Sequence, residues 1–290
     1  MSTNYYVVAM KSAMLAREYA ALGIGGKTIC LHSSLRSFTE SRFSPQEIIN
    51  AFLDLDITLI VPTQAWSVFS APKPEVESVM PFNAESDGSI PAKMPKEAFD
   101  TSSQLVGKAM GSIPRILLEE FPRIRGNHPL ASFAGLGGKS REIIEGQNPN
   151  QPFTPLEKLV ENEGYIFLMG TDLTSATLLH LGEYEAGLPL LSRWALTKEN
   201  GVIKCEVSGC SRGFEKLKAL FSEIEITSEF EGSKWRVFPA PQMLEIATSY
   251  FMQDPLGGVC DDVDCVKCNA RREYVSAERS HIDSHELDER

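Results

Sequence analysis

The sequence predicts an α/β fold: one substantial domain over residues 1–255, followed by a cysteine-containing extension over residues 256–290. Three observations carry this expectation. Apolar strand-like runs (TICLH, ITLIVPT, YIFLMG) alternate with segments of helical spacing. Hydrophobic residues make up 42% of the 290, enough for one large core. No internal repeat or low-complexity stretch interrupts the order before the tail.

Taken in order, Ala9 to Ala21 carries apolar residues at helical intervals (Met10, Met14, Leu15, Ala20) and stops at the Gly23–Gly26 cluster. TICLHSSLRSF reads as a buried strand running into a polar turn. SPQEIINAFLDL reads as a helix, with Ser44 as N-cap, Pro45 in the first helical position and Glu47 three residues after the cap. ITLIVPT is the next strand, halted by Pro62. From Gln64 to Asp100, Pro, Ser and charged residues without a period indicate a long surface excursion. SSQLVGKAMGSIPRILLEEF is expected to be helical with an irregularity at Gly111 and Pro114, and RIRGNHPLASFAGLG to be a turn-rich connection. PLEKLVENEG is a helix, YIFLMG a strand and SATLLHLGEYEAG a further helix. Strands follow near Val202–Val207 and Trp235–Val237, and helices near Phe214–Phe221 and Met243–Met252.

A net charge of −11 argues against a nucleic-acid partner, because neutralising phosphates needs an excess of Lys and Arg. The start lacks the pattern of a secretory signal and no apolar run reaches spanning length, so no membrane partner and a cytoplasmic location are expected. In that setting the six cysteines are expected to be thiols or metal ligands.

Three stretches place reactive groups at element ends. In LHSSLRSF, hydroxyls and backbone amides beside Arg36 suit a phosphate or an amide chain, or else form a plain polar turn. In RGNHPLASFAGLG, Pro129 biases His128 toward an extended conformation, and an imidazole suits proton removal from an amine near neutrality; the plain alternative, and the commoner case for a lone loop histidine, is a structural role. In ATLLHLGEYEAG, helical spacing brings His180, Glu183 and Tyr184 towards one face, where the carboxylate can orient an imidazole or bind a cation; the plain alternative is an exposed polar face, which is the reading for Glu185. Ser33 or Ser34 with His128 would make a hydrolase, but neither serine stands in a G-x-S-x-G elbow. Cys30, inside an apolar strand, reads as a small core residue.

Together these stretches resemble the aminoglycoside 3-N-acetyltransferase family. The resemblance rests on LHSSLRSF, TQAWS, RGNHPLAS, TPLEKL and the TxLHxxE pattern at Thr177, His180 and Glu183. It runs in this order from about Met14 to Trp194 and continues weakly to about Met252. It implies a single acetyltransferase domain of that family's type, a central mixed sheet flanked by helices, with acetyl-CoA as donor and a small amine, aminoglycoside-like, as acceptor. It further implies direct attack of the amine on the thioester, with His128 as proton acceptor and Glu183 either aligning His128 or holding the cation, beside His180. CoA would be embraced by Ser33, Ser34, Leu35, Arg36, Met110, Gly111, Ser132 and Phe133. Two departures stand out: Leu130 and Ser67 occupy positions where members often carry acids, leaving a different small amine, or an inactive CoA-binding homologue, as alternatives. Glu75, Glu77, Glu85 and Asp87 are the acids that could replace them. A monomer or homodimer is expected.

In the extension, CDDVDCVKC brings Cys260, Cys265 and Cys268 together, and its C-x-x-C half has zinc-knuckle spacing. A fourth ligand is needed for a structural zinc, with Cys210 first among the candidates and Cys205, His281 and His285 after it. The plain alternative is a loose tail of free thiols.

Overall fold

Strands buried on both faces read as unbroken apolar runs, and three such runs form the centre of this chain. In the computed structural model, which describes residues 3–71 and 94–288 and the side chains of 10–71 and 94–278, they are β1 (Thr28–Ser33), β2 (Thr58–Pro62) and β6 (Tyr165–Met169). Strand β1 pairs in parallel with both neighbours, with Thr28 opposite Thr58 and Leu31 opposite Phe167. Antiparallel strands extend the sheet beyond β2 through β5 (Phe133–Leu136) and β4 (Ile124–Arg125), and beyond β6 through β10 (Ser233–Pro239) and β9 (Ile226–Phe230). The result is a seven-stranded mixed sheet, ordered β4-β5-β2-β1-β6-β10-β9.

Helices cover both faces. The strand period of two sends Ile29 and Leu31 to one side and Cys30 to the other. On the first side, α1 (Thr3–Ala21), α2 (Pro45–Leu53) and α3 (Ser112–Glu120) pack Leu15, Tyr19, Phe52 and Leu117 against Leu31, Phe167 and Trp235. On the second, α4 (Ser140–Ile144), α5 (Thr154–Glu161), α6 (Leu178–Glu185) and α7 (Ala240–Gln253) bury Ile143, Leu156, Leu179 and Phe251 against Cys30, Ile166 and Phe238. The start of α2 is as its sequence predicts: Ser44 Oγ accepts from the Glu47 amide, and the Glu47 carboxylate accepts from the Ser44 amide. A second sheet, β3-β7-β8, is made of Phe69–Ser70, Leu191–Thr197 and Gly201–Val207 and has its own small apolar cluster.

Several elements differ from expectation. The helix expected from residue 102 begins only at Ser112, because Gly111 adopts φ +85° and ψ −167°, after a single 3-10 turn at Lys108–Met110. The supposedly turn-rich stretch 123–137 contains β4 and β5. Phe214–Phe221 is a 3-10 helix rather than an α-helix. The extension carries a final helix, α8 (Val266–Asp288), whose Val275 is buried in the main core. No helix among the described residues is long and apolar enough to cross a membrane.

Candidate active site

In an open sheet of this kind, ligands gather where the parallel strands end and the chain departs to opposite sides. The carboxyl ends of β1, β2 and β6 open into a cleft of about 820 Å³. His32 and Ser33 reach it from β1, Pro62 and Gln64 from the end of β2, and Thr171 from just beyond β6. Its other walls come from Met110 and Ile113 at the start of α3, His180 on α6, the loop around Cys210, and the segment Asp262–Lys267. The volume falls in the range of pockets that enclose a small organic ligand.

Helix α6 is short and buried, and it lies hard against α7: a Cβ on Gly182 would stand 2.8 Å from the Cβ of Ala247. That close approach fixes the helix that carries His180 and Glu183. His180 Nδ1 lies 2.7 Å from Glu183 Oε2, and the imidazole is seated on the Phe214 ring at 4.7 Å between centroids. The second carboxylate oxygen of Glu183 accepts from the Arg271 guanidinium, whose Nε donates to the Pro255 carbonyl. A carboxylate oxygen facing Nδ1 accepts from it, which favours the His tautomer with its proton on Nδ1. The lone pair of Nε2 is then the one available to a ligand.

His128 is placed otherwise. It is fully buried, and it does not line the cleft. Its Nδ1 accepts from the amides of Leu130 (3.2 Å) and Ala131 (3.0 Å), so the proton resides on Nε2, which donates to the Glu206 carbonyl at 2.7 Å. Burial lowers its pKa to about 4. Both ring nitrogens are thus committed to bracing the His-Pro turn against β8, and Glu183 meets His180 rather than His128. Burial also lowers the pKa of His32 to about 4.

The residues expected around CoA separate in the same way. Ser33 and Met110 line the cleft; Gly111 does not, and a Cβ on it would stand 4.0 Å from the Ser33 carbonyl oxygen. Ser34, Leu35 and Arg36 enter the 3-10 turn behind it and do not line the cleft. Ser132 and Phe133 are buried at the start of β5, one strand in from the sheet edge. Ser132 Oγ donates to the Thr63 carbonyl and receives Arg125, whose guanidinium also grips the carbonyls of Ser103 and Leu105. This network shapes the wall from behind, leaving Ala131 as the neighbour that reaches the cleft. Leu130 lies inside the apolar cluster of the second sheet, and Ser67 is exposed on the Trp66 turn. Glu75, Glu77, Glu85 and Asp87 lie outside the described residues.

Sequence reasoning missed Gln64, Thr171, Arg212, Asp262, Asp264 and Lys267 as cleft residues. Only Trp66 beside TQ signalled the first of them. The last four come from two loops and the first turn of α8, whose contribution depends on long-range packing: Lys267 Nζ stands 5.3 Å above the Trp66 ring.

A mixed sheet with a His–Glu pair at the carboxyl ends of its parallel strands defines the class, and comparison with known proteins defines the family. The model of the aminoglycoside 3-N-acetyltransferase family matches residues 30–252, and the chain belongs to that family. Aminoglycoside N(3)-acetyltransferase VIII of Streptomyces fradiae is 28% identical over 182 residues, 60% of this chain and 61% of that protein. The SPbeta prophage-derived aminoglycoside N(3')-acetyltransferase-like protein YokD of Bacillus subtilis (strain 168) is 31% identical over 179 residues, 59% of this chain and 63% of that one. The match therefore spans about three-fifths of the length of these curated relatives. Among solved structures, the apoenzyme of aminoglycoside acetyltransferase AAC(3)-IVa shares the fold with a TM-score of 0.72 at 22% identity, covering 90% of this chain and 96% of that one.

Proposed function

We propose that this protein transfers an acetyl group from acetyl-CoA to an amine of an aminoglycoside or a closely related amine, with His180 as general base and Glu183 as the group that orients it. The observation that carries this reading is the His180–Glu183 pair, held by Arg271 and facing a cleft bordered by Ser33 and Met110. In the reaction, the amine nitrogen attacks the thioester carbonyl, the C–N bond forms and the C–S bond breaks. The proton leaves the amine for His180 Nε2 and is passed to the departing CoA sulfur. Family membership supports the donor, as does the similar fold of AAC-IIIb, a protein solved with CoASH. AAC(3)-IVa, in a histidine-to-alanine form, has been solved with apramycin. None of the six cysteines is in a disulfide, which fits a cytoplasmic setting.

His128, by this reading, is a brace and not the base: no ring nitrogen is free, and an imidazole with a pKa of about 4 is a poor proton acceptor at neutrality. Leu130 and Ser67 favour a second reading with a different small amine as acceptor, since neither position offers a carboxylate. Asp264 is the acid at the cleft left to meet a cation, since Asp262 beside it is paired with Arg212. Free-thiol release from acetyl-CoA, measured across a panel of aminoglycosides and simple polyamines with product mass in parallel, tests both readings. One thiol per acetyl group gained by an aminoglycoside is expected. Turnover of simple amines alone selects the second reading, and binding of acetyl-CoA without transfer to any amine would overturn both.

A further inference from the structure

We infer that Cys210, Cys260, Cys265 and Cys268 bind one structural Zn²⁺ through four thiolates, and that this closed site clamps the C-terminal segment into place as a wall of the cleft. The second half of the inference rests on the transferase reading; the first does not.

The four sulfurs come from two places far apart in sequence, the loop before the 3-10 helix at Phe214–Phe221 and the segment that leads into α8 with its first turn, yet all lie within 4.8 Å of one another. A tetrahedral ZnS₄ centre with bonds of about 2.3 Å sets its sulfurs about 3.8 Å apart, so the cluster needs only a small contraction. Cys260 and Cys268 are 3.5 Å apart, well beyond a disulfide bond. Three of the four cysteines are buried and Cys210 is half-buried, but their apolar company is almost nothing beyond Val259. Hydrophobic packing therefore gives no account of why they gather.

The surroundings suit thiolates. The Cys260 amide points at Cys268 Sγ at 3.4 Å, and the Arg212 guanidinium lies beside Cys210 and Cys265 while pairing with Asp262 at 2.9 Å. Zinc with four thiolates carries a net charge of −2, which an adjacent arginine partly offsets. The two chain segments also meet without space between them, since a Cβ on Gly213 would stand 2.4 Å from the carbonyls of Gly258 and Val259. Cys205, the other cysteine candidate, is buried in β8 with its thiol on the Arg193 carbonyl, and the side chains of His281 and His285 lie outside the described residues. Four sulfurs and no open position mark a structural centre rather than a catalytic one.

The clamp acts on the cleft directly. Cys210 and Cys265 themselves line it, between Ser208 and Arg212 on one segment and Asp262, Asp264 and Lys267 on the other. Arg271, three residues beyond Cys268 on α8, reaches Glu183. Zinc binding thus fixes the helix whose arginine holds the carboxylate that orients His180.

The full chain, purified under reducing conditions, should contain one zinc per molecule by elemental analysis. Exchange for Co²⁺ should give the intense visible bands and thiolate charge-transfer absorption of a tetrahedral sulfur site. Cys265→Ser and Cys268→Ser should each lose the metal to a chelator that the native chain withstands. Arg271→Gln should keep its zinc and lower kcat with little change in the KM for acetyl-CoA. Zinc well below one per molecule, iron in its place, or a Cys260–Cys268 disulfide persisting in the reduced protein would overturn the metal site. Removal of zinc with no change in thermal stability or in protease cleavage of residues 256–278 would overturn the clamp.

Discussion

Replacing His180 with Ala is expected to lower kcat/KM for acetyl transfer by roughly 10²–10⁴-fold, the usual contribution of a positioned general base. The loss should fall mainly on kcat. The attacking amine must shed a proton as the C–N bond forms, and of the two imidazoles at the cleft His180 is the one oriented by a carboxylate with Nε2 left over, whereas burial lowers the pKa of His32 to about 4. His180 is packed on Phe214 beside α7, so a loss of stability accompanies the substitution, and rates must be referred to folded protein. Glu183→Gln separates orientation from proton transfer. The amide keeps the shape but loses the charge that Arg271 and His180 share, so a smaller drop is expected, on the order of 10-fold to 100-fold. Steady-state kinetics on both variants checks this. A Glu183→Gln enzyme as active as the native one would remove the carboxylate from the mechanism.

Acid is expected to destabilise this protein well above the range where ordinary carboxylates titrate. His32 and His128 are neutral in the folded state, each with its pKa lowered by burial from 6.5 to about 4. Unfolded, each takes up a proton near pH 6.5, so the unfolded state binds more protons between about pH 4 and pH 6.5. Their contribution to stability is complete above pH 6.5 and lost as the pH falls towards 4, by about 3 kcal/mol for each histidine. Urea denaturation midpoints measured from about pH 7 down to about pH 5, where most carboxylates remain ionised, isolate this effect. The native midpoint should fall steadily, and His128→Gln should fall less steeply from a lower start. A midpoint constant across that range would contradict the burial of neutral imidazoles.

Much of the fold was legible because its signals are local. The capping box at Ser44 and Glu47 needs four residues, and the continuous apolar runs of β1, β2 and β6 announce strands buried on both faces. Helical spacing alone put His180 and Glu183 on one face, and the C-x-x-C spacing pointed to the cysteine cluster. Strand β5 escaped notice because Phe133–Leu136 is short and glycine-containing, and its identity as a strand comes from pairing with β2. Helix α8 has few apolar residues to mark it and is held by contacts such as Arg271 with Glu183.

His128 shows the limit most clearly. Its sequence neighbours constrain where the imidazole can point, and the family pattern singles it out. Neither reveals that the Leu130 and Ala131 amides occupy one nitrogen while a carbonyl 78 residues away occupies the other. Availability of a lone pair is a tertiary property. The same holds for Ser132 and Phe133, whose motif is intact but whose side chains serve the Thr63–Arg125 network and the core instead of the cleft.

The most direct test compares His180→Ala and His128→Ala side by side for thiol release from acetyl-CoA at neutral pH, with rates per folded molecule. His128→Ala should be less stable, by about 1–3 kcal/mol for the buried hydrogen bonds it loses, yet turn over within about tenfold of the native rate. His180→Ala should lose nearly all activity. The reverse order, with His128→Ala inactive though folded and His180→Ala close to native, would contradict the assignment of the base and the mechanism built on it.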